Sequence, residues 1–205
     1  MAGRPAWIEA QLVSRGIRDA RVLEAMARVP RELFVPARFR ALAYADRALP
    51  LSFGQTVSQP YIVAFMCEGL ALAGGERVLD VGTGSGYAAA VLAELAREVD
   101  TIERVPELAA AARASLLEAG YAHVSVHVGD GACGLAARAP FEAIAVAAAT
   151  PEIPAALWEQ LGERGRIAIP LVLGRSRERL CVVERRAEGP RLLGSTPARF
   201  VPLVS

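Results

Sequence analysis

The chain carries the sequence Val78-Leu79-Asp80-Val81-Gly82-Thr83-Gly84-Ser85-Gly86, a short apolar run that ends in alternating glycines. The apolar run predicts a buried strand. Glycines directly after it predict a tight turn whose backbone a ligand can approach closely. In an α/β sheet, a turn of this kind lies at the carboxyl end of the first parallel strand. The stretch therefore predicts a ligand site at the crevice of a doubly wound sheet.

Strand and helix patterns alternate along the chain from this turn onward. We expect strands at residues 77–81, 99–102, 124–128, 141–146 and 166–169, and helices at residues 87–96, 106–119 and 155–161. Such alternation requires parallel strands with right-handed crossovers, so the fold class is α/β with a doubly wound, mostly parallel sheet. After Pro170 two strand patterns, at residues 180–184 and 192–201, have only turns between them. They predict an antiparallel end to the sheet.

We expect a single domain, 1–205, built from three segments. Residues 1–60 combine short helices with a loop-rich stretch and are expected to cap a substrate and cofactor site. A structureless stretch of this length inside a compact domain is often functional. Residues 61–170 form the α/β core, which opens with a helix over residues 62–72. Residues 171–205 supply the C-terminal strands.

Composition excludes several classes of function. Charged residues make up 22% and hydrophobic residues 53% of the chain, as in ordinary globular proteins. The 23 basic and 22 acidic residues nearly cancel, so we expect no nucleic-acid partner. No run approaches the roughly 20 apolar residues of a membrane span, and the start of the chain lacks a signal-peptide core. Three widely spaced cysteines fit free thiols, so we expect a cytoplasmic protein without a membrane partner.

Three positions indicate which ligand the crevice binds. A dinucleotide-binding turn would have glycine where this chain has Tyr87, which argues against NAD and leaves a cofactor without phosphates, such as S-adenosylmethionine. Glu103 ends the second predicted strand, where a carboxylate can accept hydrogen bonds from both hydroxyls of a ribose. Asp130 follows the third predicted strand and can accept a hydrogen bond from an adenine amino group.

These residues resemble those of a known family. The glycine loop, Glu103 and Gly129-Asp130-Gly131 are similar to class I S-adenosylmethionine-dependent methyltransferases. Within that class, the runs Gly54-Gln55-Thr56-Val57-Ser58-Gln59-Pro60 and Arg199-Phe200-Val201-Pro202-Leu203 resemble the protein-L-isoaspartate (D-aspartate) O-methyltransferase family. The likeness extends from about Leu12 to the last residues.

The resemblance implies roles for individual residues. The active-site serine of the family matches Ser58, which would orient the substrate carboxylate with a hydrogen bond. The expected cofactor contacts are Gln55, Thr56, Val57, Ser58, Asp80, Gly82, Gly84, Ser85, Gly86, Glu103, Asp130 and Gly131. No metal is expected. The chain departs from the family at Ala147, where threonine is usual, and at Thr150, where alanine is usual.

The resemblance also implies a reaction. The methyl group of S-adenosylmethionine passes to the α-carboxylate of an L-isoaspartyl residue, or to the side-chain carboxylate of a D-aspartyl residue, in damaged proteins and peptides. S-adenosylhomocysteine is the other product. The ester then closes to a succinimide, whose hydrolysis restores some normal aspartate. A carboxylate is already ionised at neutral pH, so no strong general base is needed.

We expect the protein to act as a monomer. Two alternatives to protein repair stay open. One is a methyltransferase dedicated to an aspartate of a single partner peptide in peptide biosynthesis. The other is an S-adenosylmethionine-binding protein without catalysis.

Two further groups of residues have structural explanations. His123 and His127 lie on a predicted strand without an acid or cysteine to complete a metal site, so we expect them to be structural. A group of arginines is expected to form a solvated turn and hairpin, with an acidic-peptide site as the alternative: Arg175, Arg177, Arg179, Arg185 and Arg186.

The chain contains neither lysine nor asparagine, which codon bias in a GC-rich genome explains. Asn-Gly and Asn-Ser sequences are the usual sources of isoaspartate. The remaining sequence at which isoaspartate is expected to form is Asp130-Gly131.

Overall fold

The structure, a computed structural model, describes residues 5–174 and 177–204. Its helices are α1 (Ala6–Gln11), α2 (Ala20–Arg28), α3 (Pro60–Leu70), α4 (Tyr87–Ala93), α5 (Pro106–Glu118) and α6 (Ala155–Gln160). Its strands are β1 (Leu49–Pro50), β2 (Thr56–Val57), β3 (Arg77–Val81), β4 (Glu98–Glu103), β5 (Ser125–Val128), β6 (Phe141–Val146), β7 (Leu161–Leu173), β8 (Arg177–Arg186) and β9 (Gly189–Pro197). No helix in this part of the chain is both long enough and apolar enough to cross a membrane.

Seven strands form one sheet in the order β5-β4-β3-β6-β7-β8-β9. Strands β3 to β7 pair in parallel, and β8 and β9 add to the sheet in antiparallel orientation. The predicted α/β fold with an antiparallel end is confirmed. Side chains along the strands alternate between two buried clusters, so the sheet is covered on both faces. Val78 and Leu79 illustrate the alternation, because each belongs to a different cluster.

Three strands, β7, β8 and β9, differ from the sequence prediction by several residues. β8 spans Arg177–Arg186 and β9 begins at Gly189, so each begins before its expected start at residue 180 or 192. β7 is longer than the expected residues 166–169 at both ends, since it begins at Leu161 and ends at Leu173, and a register shift leaves residues 162–165 opposite Glu142. Gly162 and Gly165, with Arg164 between them at a φ of 58°, interrupt the apolar pattern there. β9 ends at Pro197, before the predicted end at residue 201. The following residues leave the hairpin and cross back over the edge of the sheet.

The loop-rich stretch at residues 29–59 lacks long helices, as predicted, but it is well ordered by short elements. It contains three 3₁₀ turns, Arg31–Phe34, Ala37–Leu42 and Ser52–Gly54, and the small antiparallel pair β1 and β2. Buried side chains, among them Phe34, anchor the stretch in the larger core cluster. The stretch is therefore a fixed wall beside the sheet.

Candidate active site

A cleft enclosing about 920 Å³, counted out to its open mouth, lies at the carboxyl ends of β3 and β4. β3 has β4 on one side and β6 on the other, so the cleft lies at the point where the strand order reverses. Three segments form most of its walls: the glycine loop at residues 82–85, the N-terminal wall at residues 55–58, and the closing segment at residues 201–204.

The glycine loop has a backbone that other residues adopt with difficulty. Gly82 has a φ of 93° and Gly86 a φ of 89°, both in the left-handed region. A Cβ at Gly86 would lie 3.1 Å from Cγ of Leu116, so glycine also permits α5 to pack closely against the loop. Gly84 has nothing within 3.8 Å of the position of a Cβ, whose nearest neighbours lie at 3.9 Å. Its backbone therefore stays accessible from the cleft.

Glu103 connects the end of β4 to the glycine loop. Its Oε2 accepts a hydrogen bond from the Gly84 amide at 2.9 Å, and its Oε1 accepts one from the Val105 amide at 3.0 Å. The side chain lines the cleft and is only 7% exposed. Each carboxylate oxygen keeps further acceptor capacity, so Glu103 can also bind neighbouring hydroxyl groups of a ligand.

A buried chain of hydroxyl groups supports the glycine loop from inside the sheet. Thr101 donates from Oγ1 to Oδ2 of Asp80 at 2.7 Å, and Oγ1 of Thr83 lies 2.6 Å from the same hydroxyl. Asp80 is fully buried, and its Oδ1 has no partner among the described residues. Burial raises the pKa of Asp80 to about 7. Asp80 therefore acts on the cleft through Thr83, which lines it.

The N-terminal wall is held by a buried arginine. The Nη2 of Arg31 donates to the carbonyl of Ser58 at 2.7 Å, and its Nε donates to the carbonyl of Ala43 at 2.7 Å. The guanidinium lies 4.5 Å from the centre of the Tyr87 ring. Arg31 is fully buried, and burial lowers the pKa of its guanidinium. An arginine nonetheless stays charged at neutral pH.

No carboxylate forms an ion pair with Arg31 within the part of the chain that the structure describes. Its Nη1 also has no hydrogen-bond partner there. A positive charge thus lies directly behind Ser58. The sequence patterns did not indicate a role for Arg31. The available signal was a single arginine in the apolar, proline-bounded run at residues 29–36.

The family model described as Protein-L-isoaspartate(D-aspartate) O-methyltransferase (PCMT) matches residues 6–205. The chain belongs to this family. Protein-L-isoaspartate O-methyltransferase 2 of Anaeromyxobacter sp. (strain Fw109-5) is 56% identical over 200 residues, which are 98% of this chain and 82% of that protein. The protein of the same name from Marinobacter nauticus is 53% identical and covers 98% of this chain and 92% of its own length.

Solved structures of this family share the fold. A protein-L-isoaspartate O-methyltransferase aligns with a TM-score of 0.83 and 26% identity over 99% of this chain and 66% of that chain. A structure from Plasmodium falciparum, described as a protein-L-isoaspartate O-methyltransferase in complex with S-adenosyl-L-homocysteine, aligns with a TM-score of 0.82 and 23% identity. That alignment covers 100% of this chain and 99% of the other.

The structure brings most of the site residues expected from the family together in the cleft. Those that line it are Gln55, Thr56, Val57, Ser58, Gly82, Gly84, Ser85, Glu103 and Gly131. Three do not line it: Asp80, Gly86 and Asp130. Asp80 and Gly86 support the loop from behind. Asp130 caps a 3₁₀ turn, where its Oδ1 accepts from the Ala132 amide at 2.8 Å.

The closing segment supplies cleft residues whose roles the family resemblance did not assign. Val201 accepts from the Ala149 amide at 2.8 Å, and Leu203 donates to the Ala149 carbonyl at 2.7 Å. This pairing places residues 201–204 on the lining of the cleft, which the N-terminal wall shares.

The two departures from the family pattern differ in their positions. The methyl of Ala147 lines the cleft and lies 3.4 Å from where a Cβ of Gly82 would stand. Thr150 lies outside the cleft lining and donates to the Glu152 carbonyl at 2.9 Å. The alanine therefore removes a hydroxyl from the cleft itself.

His127 has the structural role that the sequence predicts. Its Nε2 lies 2.7 Å from Oδ1 of Asp100, and Nε of Arg138 donates to the other oxygen of that carboxylate at 3.2 Å. Among residues 5–174 and 177–204, no three His, Cys, Asp or Glu side chains are grouped to hold a metal ion.

Proposed function

We propose that this protein methylates the α-carboxylate of L-isoaspartyl residues, or the side-chain carboxylate of D-aspartyl residues, in damaged proteins and peptides, with S-adenosylmethionine as the donor. The observation that carries the proposal is that Ser58 shares one cleft with the glycine loop and Glu103. Membership in the family and the names of the close relatives support it. The related fold solved with S-adenosyl-L-homocysteine supports the identity of the cofactor.

The cleft fits a nucleoside cofactor without phosphates. Glu103 offers carboxylate oxygens to the ribose, and the open backbone at Gly84 leaves space for the ligand beside them. We propose that the lining residues predicted from the family contact the cofactor. Asp80, Gly86 and Asp130 then act by shaping the loops that do so. When bound, the cofactor supplies a transferable methyl group on a positively charged sulfur.

Catalysis by this chain rests on orientation. The Ser58 hydroxyl donates a hydrogen bond to one oxygen of the substrate carboxylate and leaves the other free to attack. Arg31 fixes the backbone of Ser58, and its buried charge favours an anion at this wall. Val57 and the closing segment exclude water from the reacting groups. No residue needs to remove a proton.

The three predicted segments all contribute walls to this one cleft, which supports a single catalytic domain. We also propose that the protein acts as a monomer, since one chain supplies every wall. The free cysteines, of which Cys67 and Cys181 are buried and Cys133 is exposed, support a cytoplasmic location. The nearly balanced charge supports protein substrates over nucleic acid.

Incubation with labelled S-adenosylmethionine tests the proposal. Paired synthetic peptides would differ only in carrying isoaspartate or aspartate at one position. We expect label in the isoaspartyl peptide alone. Equal labelling of both peptides would contradict the specificity. Binding of the cofactor without labelling of any isoaspartyl peptide would favour a dedicated partner peptide or a non-catalytic protein.

A further inference from the structure

A second groove lies beside the active-site cleft, at the same edge of the sheet. It is lined by Arg177, Glu178, Arg179, Pro197, Ala198 and Arg199, and we call it the arginine groove. β7 runs parallel to β6 and ends at Leu173, which pairs with the first residue of β8. The start of β8 is therefore at the carboxyl edge, where the active-site cleft also opens.

The three arginines of the arginine groove outnumber its one carboxylate, Glu178, so the groove carries a net positive charge. Nε of Arg179 donates to Oγ of Ser195 at 2.9 Å, and its Nη2 donates to the Ser195 carbonyl at 3.1 Å, so this guanidinium is held in place. Arg177 and Arg199 are exposed and form no ion pair among the described residues. The carboxylate of Glu178 accepts from the Phe200 amide at 2.9 Å.

Other members of the predicted arginine cluster do not belong to this groove. Arg185 donates to the Trp158 carbonyl at 2.8 Å, and Arg186 pairs with Glu184. Arg175 lies outside the described residues. The cluster therefore divides into an internally bonded part and the part at the carboxyl edge.

The chain itself connects the arginine groove to the active site. Arg199 precedes Val201, the first residue of the closing segment, by two positions, a distance of at most about 7 Å along the chain. An extended peptide advances roughly 3.3 Å per residue. A peptide that leaves the cleft along the closing segment thus reaches the arginine groove within a few residues.

We propose that the arginine groove binds an acidic side chain of the substrate, a few residues away from the isoaspartyl residue. This inference rests on the proposed function and adds a preference among its substrates. A planar guanidinium matches a carboxylate and can bind it through two hydrogen bonds. Exposed ion pairs are individually weak, so the groove changes the relative KM of different damaged sites and is not required for methyl transfer. Damage within acidic stretches is methylated first.

The test uses isoaspartyl peptides that carry glutamate or glutamine at the second, third or fourth position on either side. We expect one glutamate peptide to show a KM about 3–10-fold lower than its glutamine partner, with kcat unchanged. Higher ionic strength should reduce the difference, because salt screens exposed charges. Equal KM values for every glutamate and glutamine pair would overturn the inference.

Variants assign the preference to the groove. The double variant Arg177→Gln/Arg199→Gln should lose the glutamate preference and keep its activity on glutamine peptides. Arg191→Gln is the matched control, because Arg191 is exposed on β9 toward the opposite end of the same hairpin. A glutamate preference that survives in the double variant would overturn the role of the arginine groove and leave the proposed function standing. Failure of the parent protein to methylate any isoaspartyl peptide would overturn the proposed function, and this inference with it.

Discussion

The two main walls of the active-site cleft are built by different means. The glycine loop continues directly from β3, and its amides are tied to β4, as in the hydrogen bond from Gly84 to Glu103. The N-terminal wall pairs only with the two-residue strand β1 and not with the seven-stranded sheet, and the carbonyl of Ser58 accepts a hydrogen bond from one buried side chain, Arg31. The wall formed by the glycine loop thus inherits its rigidity from the sheet. The wall that carries Ser58 depends on a few side-chain contacts, so single substitutions should affect the two walls differently.

The largest expected effect is at Arg31. Arg31→Met leaves the carbonyls of Ala43 and Ser58 without donors, and each such loss costs about 1–3 kcal/mol, so we expect about 2–6 kcal/mol less free energy of unfolding. Urea denaturation measures this change. Arg28→Met is the control, because Arg28 is an exposed arginine of α2 and should change the free energy of unfolding by less than about 1 kcal/mol.

The same variant tests whether the two walls are independent. Under conditions where Arg31→Met is folded, the affinity for S-adenosylhomocysteine should fall by a smaller factor than the factor by which KM for an isoaspartyl peptide rises, because the glycine loop and Glu103 keep their places. Arg31→Lys, which keeps the charge but not the fork of donors, should lie between. A parallel loss of cofactor affinity would show that the walls are coupled.

Ser58→Ala tests the N-terminal wall without disturbing its backbone. Loss of one orienting hydrogen bond in a dry site should slow methyl transfer by about 10–1000-fold, or about 1.4–4 kcal/mol in the barrier. Calorimetry should find the affinity for S-adenosylhomocysteine nearly unchanged, and Ser58→Cys should be intermediate because a thiol is a weaker donor. An unchanged rate of methyl transfer to an isoaspartyl peptide in Ser58→Ala would show that the Ser58 hydroxyl has no part in catalysis.

The pH dependence of methyl transfer is a second test of the proposal that Ser58 only orients the substrate. Since no proton is removed from the substrate, the rate should stay flat above the pKa of the substrate carboxylate. A steep rise near neutral pH would indicate a general base.

Asp80 gives the sheet wall a pH dependence. Its pKa is raised from 3.8 to about 7 in the folded protein, so between these values the native state holds a proton that the unfolded state has released. This contribution to stability is present at low pH and is lost as pH rises through about 7. Between pH 5 and pH 8 the loss amounts to about 3 kcal/mol.

Unfolding of Asp80→Asn at both pH values measures this contribution. The variant cannot ionise, so the difference between its stabilities at pH 5 and pH 8 should be smaller than in the parent protein by about 3 kcal/mol. The same difference in both proteins would show that Asp80 is ionised throughout this range.

The smallest expected effect is at Glu103. Glu103→Gln keeps the size of the side chain but weakens the acceptors offered to the ribose, which should cost about 1–3 kcal/mol of cofactor binding. Calorimetry with S-adenosylhomocysteine would detect this as a dissociation constant raised about 5–150-fold. Glu107→Gln, in the exposed first turn of α5, is the matched control. Unchanged affinity in Glu103→Gln would remove this carboxylate from the cofactor site.

The sequence predicted the sheet wall better than the N-terminal wall, for physical reasons. The bounds of β3 and β6 agree with the prediction, because Gly82 ends the apolar run of β3 and Pro140 precedes that of β6. Glu103 was found because strand ends converge at one edge of a parallel sheet. These signals are local in the chain.

The missed features depend on contacts between distant residues. Arg31 bonds to the carbonyl of Ser58, 27 positions away, and no periodicity reports such a contact. The pairing of Ala149 with Val201 and Leu203 likewise places the closing segment on the cleft only after the sheet has formed. Burial of Asp80 was also hidden, because local sequence does not reveal that its carboxylate lies inside the sheet, behind the loop.

The cap at Asp130 has a consequence for the lifetime of the molecule. Asp130-Gly131 is the chain's one Asp-Gly sequence, and the chain contains no asparagine. Ring closure there requires the Gly131 nitrogen to attack the side-chain carbon of Asp130. That carboxylate instead accepts from the Ala132 amide at 2.8 Å, and Gly131 is buried. Asp130 is thereby held away from succinimide formation, the reaction by which aspartates in other ageing proteins become isoaspartate. The repair enzyme thus protects a turn of its own cleft from the damage that it repairs.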